Sequence, residues 1–600
     1  MLSIYDYLII AFYLVFLASV GWVFRRFNRG SNDYFAGGFK MTWWLLGASS
    51  FISTFSCWTF TGAANIAYTY GLLVFGVTLI DIVGYIISFV WFAPRFRQLR
   101  LVTAMDAIRM RFGRTTEQLF NWFGFIATLG TGAVWLVGLS VILSSAFHLP
   151  QIPIILVTGV VVVLIALVGG NWAVAASDFV QLLLLMSVSV VVGVLTLIKV
   201  GGISAFINQI PADHWKVFRP LASIQYDWLY LATAVLSTVY QKNNVMLSAK
   251  YIGAKDSRHA RLSALVPLVG FIVLPIFWFI PPLAAFSLVP DLIHQSTMKI
   301  PGEASYVAVC LQVLPRGLLG LMIAAMFSAT IASMDVALNK NAGFFVKNFY
   351  QPILRKDARD RELFMVGEVA TLGFGMLIVG GALLLVAAPN LSLFDAALYM
   401  NAYLGVPLAI PLFVGMLMSR TPAWAAWATA GVGVLLTVFF YNVLPTTAAH
   451  DWFAPWLGEP VYRYASTNRF VMTNLVCVPL TTLFFIGTSL FYSPRPDEEQ
   501  TQQVGEFFRR LNTPVDFEKE VGGDNTAAQA RLIGIMATIY GSTVLLLTLI
   551  PNPIAGRLGI LGCAATLLGV GLGLLGYSHW LGRRVHFTTS QTLIDGGSKK

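Results

Sequence analysis

The sequence predicts an all-α polytopic membrane protein, and three observations carry that reading. Of 600 residues, 57% are hydrophobic and 11% charged, whereas soluble domains carry about 25% charged residues. Apolar runs of the ~20 residues needed to cross a ~30 Å hydrocarbon core recur along the whole chain. The basic residues alternate with those runs and form no single patch, so the net charge of +11 reads as membrane orientation and not as a nucleic-acid footprint.

Taken in order, spans are expected near 4–24, 42–73, 74–97, 115–146, 152–170, 173–200, 227–250, 260–289, 315–349, 363–388, 393–418, 422–444, 470–492, 531–550 and 557–581, about 14 to 15 crossings in all. The first has no basic leader or small-residue cleavage site, so it reads as a retained helix. Arg25, Arg26 and Arg29 follow it; Arg95, Arg97, Arg100, Arg109, Arg111 and Arg114 follow the third span; Lys250, Lys255, Arg258 and Arg261 follow the seventh; Arg355, Lys356, Arg359 and Arg361 follow the ninth. The positive-inside rule makes these loops cytoplasmic, with the N-terminus outside and the C-terminal Arg583, Arg584, Lys599 and Lys600 inside a cell (inner) membrane. The loops left outside, 201–226, 290–314 and 445–469, are poorer in Lys and Arg.

The four cysteines, Cys57, Cys310, Cys477 and Cys563, lie in or beside apolar spans without metal-ligand spacing and read as small hydrophobes. The stretch 493–530 reads as a solvated cytoplasmic loop with a short helix at 504–511. The whole divides into a leading helix and loop (1–41), two five-helix blocks (42–200 and 201–421), extra helices (422–492), that loop, and a last helix pair with its tail (531–600).

Two spans are anomalous. As one helix, 42–73 would be roughly 45 Å long, too long for the bilayer unless tilted or broken. Its centre, GASSFISTFSCWTFTG, has the hydroxyls and glycines that let a span unwind beside a cavity. Unwound carbonyls at mid-membrane are hard ligands for a small cation. The second anomaly is the ninth span, AAMFSATIASMDVALNKNAGFFVKNFY. Wound at 3.6 residues per turn, it puts Ala325, Ala329, Ala332, Ser333 and Val336 on one small-residue face and Ser328, Asp335 and Asn339 on another. Intramembrane carboxylates mark ion or solute paths by default.

The run of DYFAGG (33–38), WWLLGASSFIST (43–54), AYTYG (67–71), GGNWAVAASDFVQ (169–181), SAKYIGAKDSRHAR (248–261) and LPRGLLGLMIAAMFSA (314–329) resembles the sodium:solute symporter family over roughly residues 1–490. The resemblance implies a leucine-transporter-like fold: one extra N-terminal helix, a 5+5 inverted repeat over spans two to six and seven to eleven, and extra C-terminal helices. It implies a symporter coupling Na+ to a small polar solute by alternating access. Carried over residue by residue, the sodium ligands are the carbonyls of Ile52, Phe55 and Ala329 with the hydroxyl of Ser333. Where the family usually has two adjacent hydroxyls this chain has Ala332 and Ser333, so one oxygen is missing: either water, Ser328 or Asp335 replaces it or the site is weakened.

Asp178 matches an acidic position that in some relatives helps hold a second sodium or a proton, and Asp335 stands where its hydroxyl partner would be. Its bland reading is an anchor at the start of the sixth span. The polar positions of the sugar carriers correspond to Trp58, Thr59 and Thr78, with Ser56 beside them, which argues against a hexose held by a carboxylate and an amide. Asp81 is a candidate for a cationic or hydroxylated group. Lys242 either attracts an anionic solute or snorkels to the interface. Asn243, Asn244, Asp395, Tyr399, Asn401 and Tyr403 read as interfacial anchors before ligands.

Three rival readings stand beside symport: a proton-coupled carrier of the same fold, a polytopic membrane enzyme, and a solute sensor. The seven histidines show no HExxH or comparable motif, which tells against the enzyme. The sequence sets neither the solute nor an oligomeric state.

Overall fold

The computed structural model describes residues 2–24, 37–54, 56–168, 171–220, 226–291, 300–388, 391–493 and 499–596. Among them all regular structure is helical, apart from an isolated bridge between Met41 and Ala254. That follows from the solvent: hydrocarbon offers no partner to a backbone N–H or C=O, so each crossing satisfies its own. Among the described residues, eleven helices are long and apolar enough to cross a membrane. Three shorter apolar helices, Ile4–Val20, Trp43–Ile52 and Gln151–Leu167, and the seventh-span helix Trp228–Lys242 supply the other expected crossings.

The second span is broken, as its length requires. Trp43–Ile52 ends, a single turn covers Cys57–Phe60, and Gly62–Tyr70 completes the crossing. The seventh span is interrupted too, which the sequence reading did not anticipate. Trp228–Lys242 stops at Asn243, whose amide donates to the Gly84 and Val239 carbonyls at 3.2 and 3.0 Å. Asn244 then caps the short turn that follows, accepting from the Met246 N–H at 2.9 Å. These asparagines hold the backbone at the break and are not interfacial anchors.

The ninth span, Leu318–Leu354, is the central strut: 94% of its apolar window is buried, against 22% for the tenth, Asp360–Ala387. It packs on the first, fourth, fifth, sixth and tenth spans. Its N-terminus is capped from outside, because Asp6 of the leading helix accepts from the Gly317 and Gly320 N–H groups at 2.9 and 2.7 Å. A carboxylate there meets the orphan donors and the positive end of the helix dipole. Gly320 allows the approach, since a Cβ on it would lie 2.5 Å from the Asp6 Cα.

Two expectations need correction, while the fourth span starts about where expected: a short helix led in by a Thr103–Asp106 capping box breaks at Gly113 (φ 82), and the crossing runs on from there to Phe147. Two arginines counted as loop charges are buried: Arg97 reaches the Lys255 carbonyl at 3.2 Å and Arg111 the Gly415 carbonyl at 3.0 Å. The 499–530 stretch is docked, not merely solvated. Its helix, Glu499–Leu511, buries Phe507 and Leu511, and Arg100 binds Glu520 at 2.7 and 2.8 Å while Lys255 pairs with Asp524.

Candidate functional site

The site begins where the second span unwinds. Past Ile52 the carbonyls lose their i+4 donors, and short-range hydroxyls take over part of the backbone. Thr54 Oγ1 donates to the Phe51 carbonyl, and Ser56 caps the next turn, its Oγ accepting from the Trp58 N–H at 3.2 Å. Phe55 lies outside the described residues.

The unwound turn rests on the ninth span. The Cys57 N–H donates to Thr330 Oγ1 at 3.2 Å and its thiol to the Met326 carbonyl at 2.9 Å. From the other side Gly138 of the fourth span lets the turn come close; a Cβ there would sit 3.1 Å from the Trp58 nitrogen. Met326, Ala329, Thr330 and Ser333 follow one another at helical spacing, so they share the face that meets the break. Ile52, Ala329 and Ser333 are all buried, and Ser333 Oγ donates to the Ala329 carbonyl at 3.0 Å. Thr330 was missed in the sequence, where a threonine in a helix looks like any other; its spacing from Met326 on the small-residue stripe was the available signal.

Asp178 stands two turns inside the sixth span and bonds another span, unlike a terminal anchor. Its Oδ2 accepts a short hydrogen bond from Ser49, its Oδ1 is buried without a partner, and it interacts electrostatically with Asp335. Asp335 of the ninth span likewise has a buried Oδ1 without a partner. Around them lie Tyr13 and Gln181, bonded at 3.3 Å, and Ser328, which donates to the Ala325 carbonyl at 2.6 Å.

The solute candidates divide into two groups. Thr78 returns its hydroxyl to the Val74 and Phe75 carbonyls at 3.2 and 3.1 Å. Asp81 and Lys242 pair with each other at 3.2 Å, so neither stands free for a solute charge, and Lys242 is not snorkelling. Gly84 makes room for the lysine stem, which a Cβ there would meet at 2.8 Å. Trp58 and Thr59 belong to the other half. The Trp58 indole donates to the Leu393 carbonyl at 3.2 Å and stacks on Phe394; Thr59 is buried. Between the groups, Asn401 and Gln241 exchange amide hydrogen bonds at 2.7 and 3.2 Å, a tertiary pair that no local pattern announces.

The two faces of the protein differ. Opposite the basic loops the break is covered: Glu303 accepts from the Leu393 N–H at 2.7 Å, and Tyr226 donates to Asp395 at 3.0 Å with its ring edge on Phe394. On the basic-loop face a cavity of about 130 Å³ opens, lined among others by Ser49, Ser50, Ser53, Lys250, Asn339 and Lys340. It reaches the break from below.

Broken crossings against a buried polar helix are what the sequence motifs implied, and comparison with known proteins decides the family. The profile of the sodium:solute symporter family matches residues 34–433. The chain belongs to the sodium:solute symporter family. This symporter is 25% identical over 537 residues to sodium/glucose cotransporter 4 of Danio rerio, covering 82% of this chain and 80% of the relative. It is 23% identical over 499 residues to sodium/glucose cotransporter 1 of Ovis aries, with 73% and 72% covered. Against the uncharacterized symporter YidK of Escherichia coli (strain K12) identity is 25% over 451 residues, covering 71% and 76%. Among solved structures, the substrate-bound outward-open state of a Na+-coupled sialic acid symporter superposes with a TM-score of 0.67 at 19% identity, covering 82% of this chain and 99% of that one. The fold is therefore leucine-transporter-like, and the symporter is a multi-pass membrane protein that couples Na+ to a small solute; it is a transporter and not an enzyme.

Proposed function

We propose that the symporter binds its coupling sodium in the break of the second span, between the Ile52 carbonyl, the Ala329 carbonyl and the Ser333 hydroxyl, with the Phe55 carbonyl as a further ligand. The observation that carries this is the pair of hydrogen bonds from Cys57 to Thr330 and Met326. They hold the unwound turn against the helix face on which Ala329 and Ser333 fall. Carbonyls with one hydroxyl suit a hard monovalent ion, as oxygen ligands suit hard cations generally, and a water completes the shell where Ala332 offers no oxygen. Ser333 donates to the Ala329 carbonyl at 3.0 Å, so these two oxygens already lie side by side. Asp178 and Asp335, each with a buried oxygen lacking a donor, form the second-ion or proton site.

The solute, a small polar molecule, sits beside the break among Ser56, Trp58, Thr59 and Thr78, with the Asp81–Lys242 pair as part of the wall. Relatives are named for glucose and sialic acid, so hydroxylated solutes of that size are the first to assay. The basic-loop face is the cytoplasmic side of a cell (inner) membrane, with the N-terminus outside and the C-terminus inside. The covered outer face and open inner cavity then make this an inward-facing state. One charge crossing about 100 mV releases roughly 2.3 kcal/mol, while a tenfold solute gradient requires about 1.4 kcal/mol, so one sodium suffices for accumulation.

The test is uptake into proteoliposomes with sodium and proton gradients imposed separately, in the parent and in Ser333→Ala. Sodium-driven flux with a weakened sodium titration in the variant is expected. An unchanged titration removes Ser333 from the site, and flux driven by the proton gradient alone transfers the coupling to Asp178 and Asp335.

A further inference from the structure

We propose that the cytoplasmic cavity is an anion vestibule, in which Lys250 and Lys340 take up the carboxylate of the departing solute. This rests on the transport reading above and adds a substrate class to it: small organic acids.

The argument is one of charge and partners. Both lysines line the cavity, and neither has a hydrogen-bond or ion-pair partner among the described residues, whereas Lys242 is matched by Asp81 and Lys255 by Asp524. Lys250 interacts electrostatically with Lys242, Lys340 and Asp81. Around Lys250 there are thus two further basic side chains and one carboxylate, and that carboxylate is already paired with Lys242. No Asp or Glu lines the cavity. The carboxylates behind its wall are Asp178, screened by the Ser49 hydroxyl that it binds, Asp106, held by Thr103 and Arg109, and Asp335. Ammonium groups withdrawn from bulk water need a counter-charge, and the open space between these two is where one fits.

The remaining lining suits a hydroxylated acid. The Ser50 hydroxyl has no partner among the described residues; the Ser53 hydroxyl donates to the Ser50 carbonyl and that of Thr103 to Asp106, so each faces the cavity as an acceptor. About 130 Å³ holds on the order of ten waters, or one small acid displacing them. Because Ser49, Ser50 and Ser53 belong to the broken span, a solute released beside the break enters this space directly. Lys340 was not singled out in the sequence, where it looked like one more basic residue at the cytoplasmic end of a span.

The experiment places a reporter cysteine at Val102, a half-buried lining residue, in the full-length protein; the four native cysteines are buried. Inside-out vesicles are labelled with the anionic sulfonatoethyl and the cationic trimethylammonioethyl methanethiosulfonates. The anionic-to-cationic rate ratio is expected to fall about tenfold in Lys250→Gln/Lys340→Gln, to survive Lys250→Arg/Lys340→Arg, and to fall with added salt in the parent. A ratio that ignores both salt and the lysines overturns the proposal. Gluconate and glucuronate should slow labelling, while glucitol and glucose should not. Equal protection by the neutral partners, protection by chloride or phosphate alone, or no protection overturns it. Carboxylate protection without sodium-driven flux would refute the transport reading and leave the vestibule standing; flux without protection would do the reverse.

Discussion

Glu303 should make closure of the outer face depend on pH. It lies in the connection before the ninth span, 6% exposed, and accepts from the first-turn N–H of Leu393 in the eleventh span. Burial pushes its carboxyl from the ordinary 4.5 up to about 7; the Leu393 hydrogen bond opposes that rise, and nearby Asp395 adds to it. If opening separates Glu303 from Leu393 and returns it to water, the closed state holds a proton between pH 4.5 and 7 that the open state has lost. Closure is then stabilised most below 4.5, loses that stabilisation as pH rises through this window, and is flat above about 7. At about 1.4 kcal/mol per pH unit the full window amounts to roughly 3 kcal/mol. Spin labels at the exposed Gln312 and Ala387, read as inter-label distance populations, should show the outer-closed population growing on acidification. Glu303→Gln, whose amide oxygen can still accept from Leu393, should abolish the dependence and keep the face closed at high pH. An unchanged pH profile in that variant, or closure favoured by alkali, refutes the reasoning.

Further predictions concern the break and its supports. Ser333→Ala should weaken the sodium dependence of thermal stability more than it weakens solute binding at saturating sodium; equal effects would make Ser333 a packing residue. Thr330→Val keeps the shape but leaves the buried Cys57 N–H without its acceptor, and should lower stability by about 1–3 kcal/mol, read in a denaturant titration. Asp6→Ala uncaps the ninth span and should cost about 1–2 kcal/mol. Single replacements at Asp81 or Lys242, which are about three-quarters buried, each leave a charge without its partner and should cost more than about 1 kcal/mol, with Asp81→Asn/Lys242→Gln less than additive.

Most of the fold was legible because hydrocarbon enforces a simple rule. Helix length and apolar content located the crossings, and the excess length and hydroxyl density around Ser53 located the break before any coordinates did. The pairings were not legible. Asp81 and Lys242 each looked like a candidate for solute charge, since nothing local shows that the third and seventh spans bring them together. Arg97 and Arg111 looked like orientation charges, and only the neighbouring carbonyls show them to be ties between loops. The 499–511 helix was half visible: a short helix at 504–511 was expected, but the surface it packs on belongs to Ala104–Phe147, far away in sequence. The seventh-span break escaped for a related reason. Asn243 replaces a backbone partner through Gly84, on a different helix, and Asn244 bonds the end of its own helix and the turn that follows.

The way these parts are joined bears on how sodium and solute become coupled. The outer half of the second span is engaged with the seal, through Trp58 on Leu393 and Phe394. The other half walls the cavity on the basic-loop face, through Ser49, Ser50 and Ser53. Between them the chain has lost its helical hydrogen bonds, so the two halves need not move together. The ninth span does not share that freedom, being buried almost throughout and capped by Asp6. A cation that takes oxygens from the break and from the ninth span adds a further tie between the unwound turn and the strut on which it rests. The ordering it imposes is ordering that a neighbouring solute no longer has to supply, so each ligand raises the affinity for the other. On this account coupling resides in the flexibility of a few unwound residues, and stiffening the break should loosen coupling even where every ion ligand is retained.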